Sequence, residues 1–340
     1  MASAELALSV LTQNEINPIP TTISQLTAVG TSLRFVATTE GLDEGVQYEL
    51  WTSACTPGNT QLVSILEGIP SQLTEVTIET TTGLAFVVDG IELWTHLDST
   101  VSLRDSGSHN VSSITHAGGH MFFTRTDGSL HRIDSIDSTN TTQITDAVSV
   151  GEILSSGTTL YFVADLGEDR ALFEVSGTGQ PVSVARENGP VSNPDAFFTY
   201  AGITYFGAQS TIDSGSSVWT INANNNAEQL RTADGFPLGS PTQFATVGDR
   251  VYFGASSGDD AGGIELWSTQ GTRDTTMLAA DIRGGAADSS PSHLHEFDSK
   301  LFFAADNGSG TQLHIFDPPE EPGTLHPDPV TLASGVSHQH

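Results

Sequence analysis

The sequence predicts an all-β protein, a seven-bladed β-propeller of four-stranded antiparallel blades, and three observations carry that prediction. A strand ending in a Leu-aromatic dipeptide recurs at Leu50-Trp51, Leu93-Trp94, Leu130-His131, Leu172-Phe173, Val218-Trp219, Leu266-Trp267 and Leu313-His314, so all four tryptophans occupy one repeat position. The copies are spaced by about 44 residues, the period of a four-stranded propeller blade. Between them the chain holds only short apolar runs separated by Gly, Asn, Asp, Ser and Pro, the pattern of strands and turns, not of helices.

Each repeat contains four segments, a to d. Segment a begins near residues 23, 70, 111, 150, 195, 241 and 291, as in ISQLTAVG from Ile23, PSQLTEVTI from Pro70 and PSHLHEFD from Pro291. Segment b is the most apolar, as in LRFVA from Leu33, LAFVV from Leu84, LYFVA from Leu160, VYFGA from Val251 and LFFAA from Leu301. A run apolar on both faces is a strand buried on both faces, so segment b must lie between neighbouring sheets. Segment c is the Leu-aromatic strand, whose ring can pack one sheet against the next; Trp267 is expected between the sixth and seventh blades. Segment d reads TQLVSIL from Thr60, TVSLRD from Thr100 and TTMLAADI from Thr275.

Closure of the ring is expected from the N-terminus. After Leu313 the chain runs into FDPPEEPGTLHPDP, whose prolines cannot donate to a central ladder. Residues 5–11, ELALSVL, stand at the same distance before the first segment a as a segment d stands before the next, and are expected to supply the outer strand of blade 7. Such pairing removes an open seam. The rival strand is PVTLASG, Pro329 to Gly335. Residues 1–317 are thus expected to form one propeller, and 318–340 a Pro-rich extension.

With these elements in place, the chain resembles the ELWxSxGT-repeat β-propellers found in bacterial and archaeal surface proteins. The closest match is GGIELWSTQGT from Gly262 followed by DIRGG from Asp281. The resemblance implies a propeller, held by packing, and carries no catalytic motif or cofactor with it.

Charge points to a setting. There are 41 acidic residues against 11 basic ones, giving a net charge of −30, and Lys300 is the sole lysine. Carboxylates distributed over every repeat hold hydrated cations, and the near-absence of lysine fits a protein of molar salt better than a merely acidic one. Nucleic acid is excluded as an expected partner, because phosphate neutralisation needs Lys/Arg patches. The lone Cys55 excludes an intramolecular disulfide. The first twenty residues carry Glu5 and no basic region, so export by the general route is not expected, and no apolar run is long enough to span a membrane.

Candidate chemistry is sparse. His293 and His295 stand at i and i+2 in the seventh segment a, where a regular strand would direct both to one side and His116 could join them; the alternative is two polar residues facing channel water. His338 and His340 read as tail residues. Carboxylates gather in the b–c loops at Glu40, Asp43, Glu44, Asp165, Glu168, Asp169, Asp259, Asp260 and Asp306, either as a calcium site or as a solvated acidic face; the spacing of a dedicated calcium loop is missing. No G-x-S-x-G, HExxH or phosphate-cradling motif is present, and SGSSVWT from Ser214 lacks the spacing of a sialidase Asp box.

No catalytic, metal or cofactor residue is therefore assigned, and a non-enzymatic protein is expected. Its expected partners are other subunits or a host-surface glycan or protein. A decoration or spike protein on the virion of a halophilic archaeal virus is the first expectation. The second is a carbohydrate- or protein-binding surface module of a halophile, and the third a glycan-degrading enzyme that uses paired carboxylates. The charge balance makes a direct prediction. Self-repulsion acts over roughly 30 Å at 0.01 M salt but only about 3 Å at 1 M, so the melting temperature should climb steeply from low to molar KCl, while millimolar calcium does much less. A melting temperature flat in KCl would refute the high-salt setting.

Overall fold

The structure, a computed structural model, describes residues 22–41, 45–54, 59–138, 140–145, 149–165, 170–186, 189–209, 215–221, 226–258 and 262–319, without the side chains of 40, 41, 185, 186, 189 and 190. These residues form successive antiparallel meanders. The first comprises β1 (Thr22–Val29), β2 (Ser32–Gly41), β3 (Gly45–Ser53) and β4 (Thr60–Leu66), and the second β5 (Pro70–Ile78), β6 (Thr81–Val88), β7 (Glu92–Leu97) and β8 (Thr100–Ser106). The third holds β9 (Val111–Ala117), β10 (His120–Arg125), β11 (Leu130–Ile133) and β12 (Thr142–Thr145). The fourth holds β13 (Ser149–Ser156), β14 (Thr159–Asp165), β15 (Arg170–Ser176) and β16 (Val182–Ser183), followed by the short ladder β17 (Ala185–Arg186) and β18 (Gly189–Pro190). Next come β19 (Asp195–Tyr200), β20 (Ile203–Gln209), β21 (Ser216–Ile221) and β22 (Ala227–Gln229), then a connecting strand, β23 (Leu238–Gly239). The sixth meander is β24 (Phe244–Val247), β25 (Arg250–Ser257), β26 (Glu265–Thr269) and β27 (Met277–Ala280), and the last is β28 (Ser292–Phe297), β29 (Lys300–Asp306) and β30 (Thr311–Phe316).

Two features depart from seven separate four-stranded blades. The fifth and sixth meanders share one nine-stranded sheet, because β23 pairs with both: Ser217 faces Gly239, and Leu238 faces Ser257. The last sheet has three strands among the described residues. Residues 5–11 and 329–335, the two segments expected to complete it, lie outside the described residues.

The Leu-aromatic dipeptide fixes how the sheets stack. In every meander a phenylalanine of segment b stands directly across from the aromatic of segment c: Phe35 and Trp51, Phe86 and Trp94, Phe123 and His131, Phe162 and Phe173, Phe206 and Trp219, Phe253 and Trp267, Phe303 and His314. Adjacent residues of a strand point to opposite faces. The aromatic pair therefore packs on the preceding meander and the leucine on the following one. Phe86 and Trp94 join Val36, Leu50 and Leu66 of the first meander. Leu93 joins Met121 and Phe123 of the third, Leu130 joins Leu160 and Phe162 of the fourth, and Leu172 joins Phe206 and Trp219 of the fifth.

Trp267 is placed by the same rule, and here the sequence expectation is corrected. It packs with Tyr205, Val218, Leu230 and Leu238 of the fifth meander and the segment after it, while its neighbour Leu266 meets Leu294, Leu301 and Phe303 of the seventh. A tryptophan one residue along from a leucine must take the opposite face of the sheet. The end of the series shows the rule by default: Leu313 and Ile315, which face onward from β30, are 73% and 59% exposed.

Segment a is not a regular strand. A β-bulge interrupts it in six meanders, between Ser24 and Thr27, Ser71 and Thr74, Val111 and Ser113, Val150 and Ile153, Asp195 and Phe198, and Ser292 and His295. In four of them a non-glycine residue takes a left-handed backbone: Gln25, Gln72, Ala196 and His293, with φ of 55°, 53°, 52° and 54°. Bulges of this kind bend a strand and re-aim its side chains.

Arginines tie neighbouring meanders together. Arg104 donates from Nε to Thr95 Oγ1 and from Nη1 to the carbonyls of Ile136 and Ser138. Arg132 reaches from the third meander to the Gly177 and Gly179 carbonyls of the fourth. The planar fork of a guanidinium suits paired carbonyls in a way a lysine ammonium does not, which explains why arginine persists where lysine has almost vanished.

Candidate functional site

The residues singled out in the sequence do not converge. His293 sits at the left-handed bulge position and, like His295, is exposed; the extra residue of the bulge breaks the simple i, i+2 alternation on which a shared metal side depended. His116 lies in β9, far along the chain in another sheet. Among the described residues no group of three or more His, Cys, Asp or Glu is placed to hold a metal ion. In the b–c loops Asp306 is a loop organiser. Its Oδ1 accepts from the Gly308 and Gly310 amides at 2.8 and 3.0 Å, and its Oδ2 lies 2.9 Å from Arg283 Nη1. The Gly308 and Gly310 bonds hold its carboxyl below the usual carboxylate range. Asp165 closes β14 opposite Arg170. The side chains of Glu40, Asp43, Glu44, Glu168, Asp169, Asp259 and Asp260, and residues His338 and His340, lie outside the described residues.

Two polar clusters that sequence spacing did not flag have catalytic residue types. In the third meander Ser129 Oγ lies 2.9 Å from His131 Nε2, but it also donates to Asp127 Oδ1 at 2.6 Å. The serine thus stands between acid and imidazole, whereas an activated serine needs the imidazole between itself and the acid. Its proton is already committed to the carboxylate, which that bond holds below its usual range. His131 stacks on Phe123 at 5.1 Å, and burial pushes its pKa down. In the fourth and fifth meanders, Glu152 and Asp195 are both raised by partial desolvation, Glu152 also by the Asp195 charge, while Arg170 opposes both shifts. Two neighbouring carboxyls of this kind can share a proton.

The pocket with converging functional groups lies between the fifth and sixth meanders. It has a volume of 540 Å³ and is walled by Ile203, Ile221 and Leu230, with Glu228, Gln229, Arg231 and Arg273 presenting polar ends. That volume falls within the range of small-ligand sites. Both arginines are anchored on one turn, Thr232 to Gly235. Arg231 donates from Nη1 to the Gly235 carbonyl at 3.0 Å and from Nη2 to Gln229 Oε1 at 2.6 Å. Arg273 donates from Nε to the Thr232 and Ala233 carbonyls and from Nη2 to Ala233 at 2.6 Å. Each guanidinium has five N–H donors, of which these contacts occupy two. Neither has a carboxylate partner among the described residues, in a chain with 41 acidic side chains.

Two glycines make this geometry possible. Gly235, with φ of 95°, turns the chain so that its carbonyl meets Arg231, and a Cβ there would come within 3.0 Å of Arg273 Nη2. At Gly271, with φ of 93°, a Cβ would stand 2.4 Å from Ile203 Cδ1 and so crowd the pocket wall. Sequence spacing gave no hint of the site, since Arg231 and Arg273 belong to different repeats; the turn sequences TADG and TQGT are the local signals.

No protein-family model and no curated protein matches the chain. Solved structures it is similar to include the acylaminoacyl peptidase of Pyrococcus horikoshii, at 10% identity and TM-score 0.38 over 87% of this chain and 51% of that one. A prolyl endopeptidase gives 10% identity and TM-score 0.45, over 94% and 55%. The β-propeller domain of the Trilobed protease from Pyrococcus furiosus gives 11% and 0.40, over 90% and 99%. The chain spans about half the length of the first two. The expectation of a non-enzymatic protein is not upheld by these comparisons, whose solved structures include peptidases and an oligogalacturonate lyase as well as a designed protein. At such identities and TM-scores they assign no reaction and no residue to this chain.

His131 supplies a pH prediction. Its folded pKa lies below the ordinary 6.5, so its contribution to stability is complete above that value and is lost as pH falls through it. His131→Phe, which copies Phe173 at the same repeat position, should lose less stability than the parent between pH 7 and pH 5 in urea unfolding. Equal losses in both proteins would remove His131 from the acid response.

Proposed function

We propose that this chain is a ligand-binding β-propeller whose pocket between the fifth and sixth meanders takes a small organic carboxylate of the sugar-acid class, in a high-salt surface setting. The observation that carries this reading is the pair Arg231 and Arg273, fixed on one turn with N–H donors left over and, among the described residues, neither in an ion pair with a carboxylate. Two guanidiniums in one pocket suit the two oxygens of a carboxylate. Glu228 and Gln229 can accept and donate to hydroxyls, and Ile203, Ile221 and Leu230 offer an apolar wall to a sugar ring.

Of the settings the composition suggested, this reading favours the carbohydrate-binding surface module. A virion spike role finds no support in the fold, the pocket or the comparisons. Among the described residues no helix is long and apolar enough to cross a membrane.

Titration calorimetry in molar KCl tests the proposal, with D-glucuronate as probe and D-glucose as the neutral control. Glucuronate should bind saturably at a site that Arg231→Ala weakens, whereas any uptake of glucose should be unchanged by that substitution. Arg231→Ala or Arg273→Ala should weaken binding by about tenfold or more, since a charge-assisted hydrogen bond is worth roughly 1.5–3 kcal/mol. Glucuronate uptake that Arg231→Ala and Arg273→Ala leave unchanged, or no uptake of glucuronate by the folded protein, would refute it.

A further inference from the structure

The Glu-Leu-Trp motif closes on itself in two meanders and opens in a third. Trp51 Nε1 donates to Glu49 Oε2 at 2.9 Å, and Trp94 Nε1 donates to Glu92 Oε2 at 3.0 Å. Residues two apart on a strand share a face, so this bond is what the motif makes when left alone. In the sixth meander Glu265 has turned away. Its Oε2 accepts from the Ile282 amide at 2.7 Å, from the Arg283 amide at 3.4 Å and from Ser289 Oγ at 2.8 Å. Those partners come from the DIRGG run and the serines after it.

The rearrangement leaves two buried polar atoms without partners, Glu265 Oε1 and Trp267 Nε1, in residues that are 3% and 8% exposed. Both residues line a cavity of 180 Å³, together with Ser257, Leu278 and Asp281. The cavity lies at the end of β26 opposite the arginine pocket. A buried carboxylate oxygen and a buried indole N–H left unbonded each cost free energy, so the site is incomplete as it stands. One of the two orphans accepts and the other donates. A cation satisfies the first but is repelled by the N–H; an anion does the reverse. A hydroxyl satisfies both, donating to Glu265 Oε1 and accepting from Trp267 Nε1. The cavity far exceeds the roughly 10–15 Å³ that one water needs, and Asp281 and Ser257 can receive further hydroxyls.

We infer that this cavity is a binding site for a neutral polyhydroxyl ligand, a monosaccharide or a smaller polyol, held by a hydroxyl bridging Glu265 and Trp267. The site is independent of the arginine pocket. Its test is the indole N–H spectrum of the full chain labelled with ¹⁵N, with the Trp267 signal assigned by Trp267→Phe. D-glucose, D-galactose and glycerol are added separately in molar KCl, and calcium chloride serves as the competing probe. At least one of the three should shift the Trp267 signal saturably; a sugar-specific shift marks a monosaccharide site and a glycerol shift a smaller polyol site. Glu265→Gln and Asp281→Asn should each weaken that response by tenfold or more, with Asp281→Asn, at an exposed residue, guarding against a folding defect. Arg231→Ala should leave it unchanged, so failure here is distinguishable from failure at the other pocket. No shift with any of the three would mean that water alone fills the cavity, and a shift with calcium alone would mean a cation site; either overturns the inference.

Discussion

The structure depends on two adjacent residues of one strand facing opposite ways. From the second meander to the sixth, the leucine of the Leu-aromatic dipeptide, or Val218 in the fifth, is buried against the next sheet, and the aromatic, backed by the phenylalanine across from it, against the previous one. A single strand thus couples each sheet to both neighbours, and deleting either side chain leaves a cavity between sheets, not within one. Aromatic pairs of this kind contribute beyond the area they bury, and truncating a buried Phe or Trp costs roughly 3–5 kcal/mol. The lone cysteine allows no intramolecular disulfide to share this role. Directional packing of this sort also explains why the series ends with Leu313 and Ile315 exposed: they are the leading face of the last sheet.

Much of this was legible because packing writes itself as a period. The Leu-aromatic positions, including the degenerate Leu130-His131 and Leu313-His314, all fall on third strands, and the doubly apolar runs are the buried second strands. What was not legible arises from tertiary context. The left-handed bulges at Gln25, Gln72, Ala196 and His293 use residues with no intrinsic preference for that backbone, so nothing in the sequence marks them. The direction in which Trp267 faces is a property of the sheet stack, and the bridge through β23 depends on a turn at residues 232–235 folding back between two sheets. The arginine pocket was hidden for the same reason, since its two cations are brought together by a turn that belongs to neither repeat pattern.

The charge balance and the two pockets fit one physical picture. A chain with a net charge of −30 keeps cations only where a fork of N–H donors is needed. Several of those forks join carbonyls of neighbouring meanders, as those of Arg104 and Arg132 do. Arg231 and Arg273 hold carbonyls too, but they retain donors that open on a pocket. In the opposite sense, Glu265 is an acidic residue withdrawn from solvent and engaged on three sides, with one oxygen left over. Both places depart from the repeat pattern around them, and departures from a locally consistent pattern are where function is most often found.

A double-mutant cycle at Trp267, read by urea unfolding in molar KCl, tests the directional packing most directly. Trp267→Ala is combined with Val218→Ala, whose side chain shares its cluster in the fifth meander, and separately with Leu301→Ala in the seventh. Residues in contact couple by about 0.5–3 kcal/mol, and separated ones add within about 0.3–0.5 kcal/mol. The account predicts coupling with Val218 and additivity with Leu301. Coupling to Leu301 with additivity at Val218 would mean that the aromatic faces the following sheet, and would contradict it.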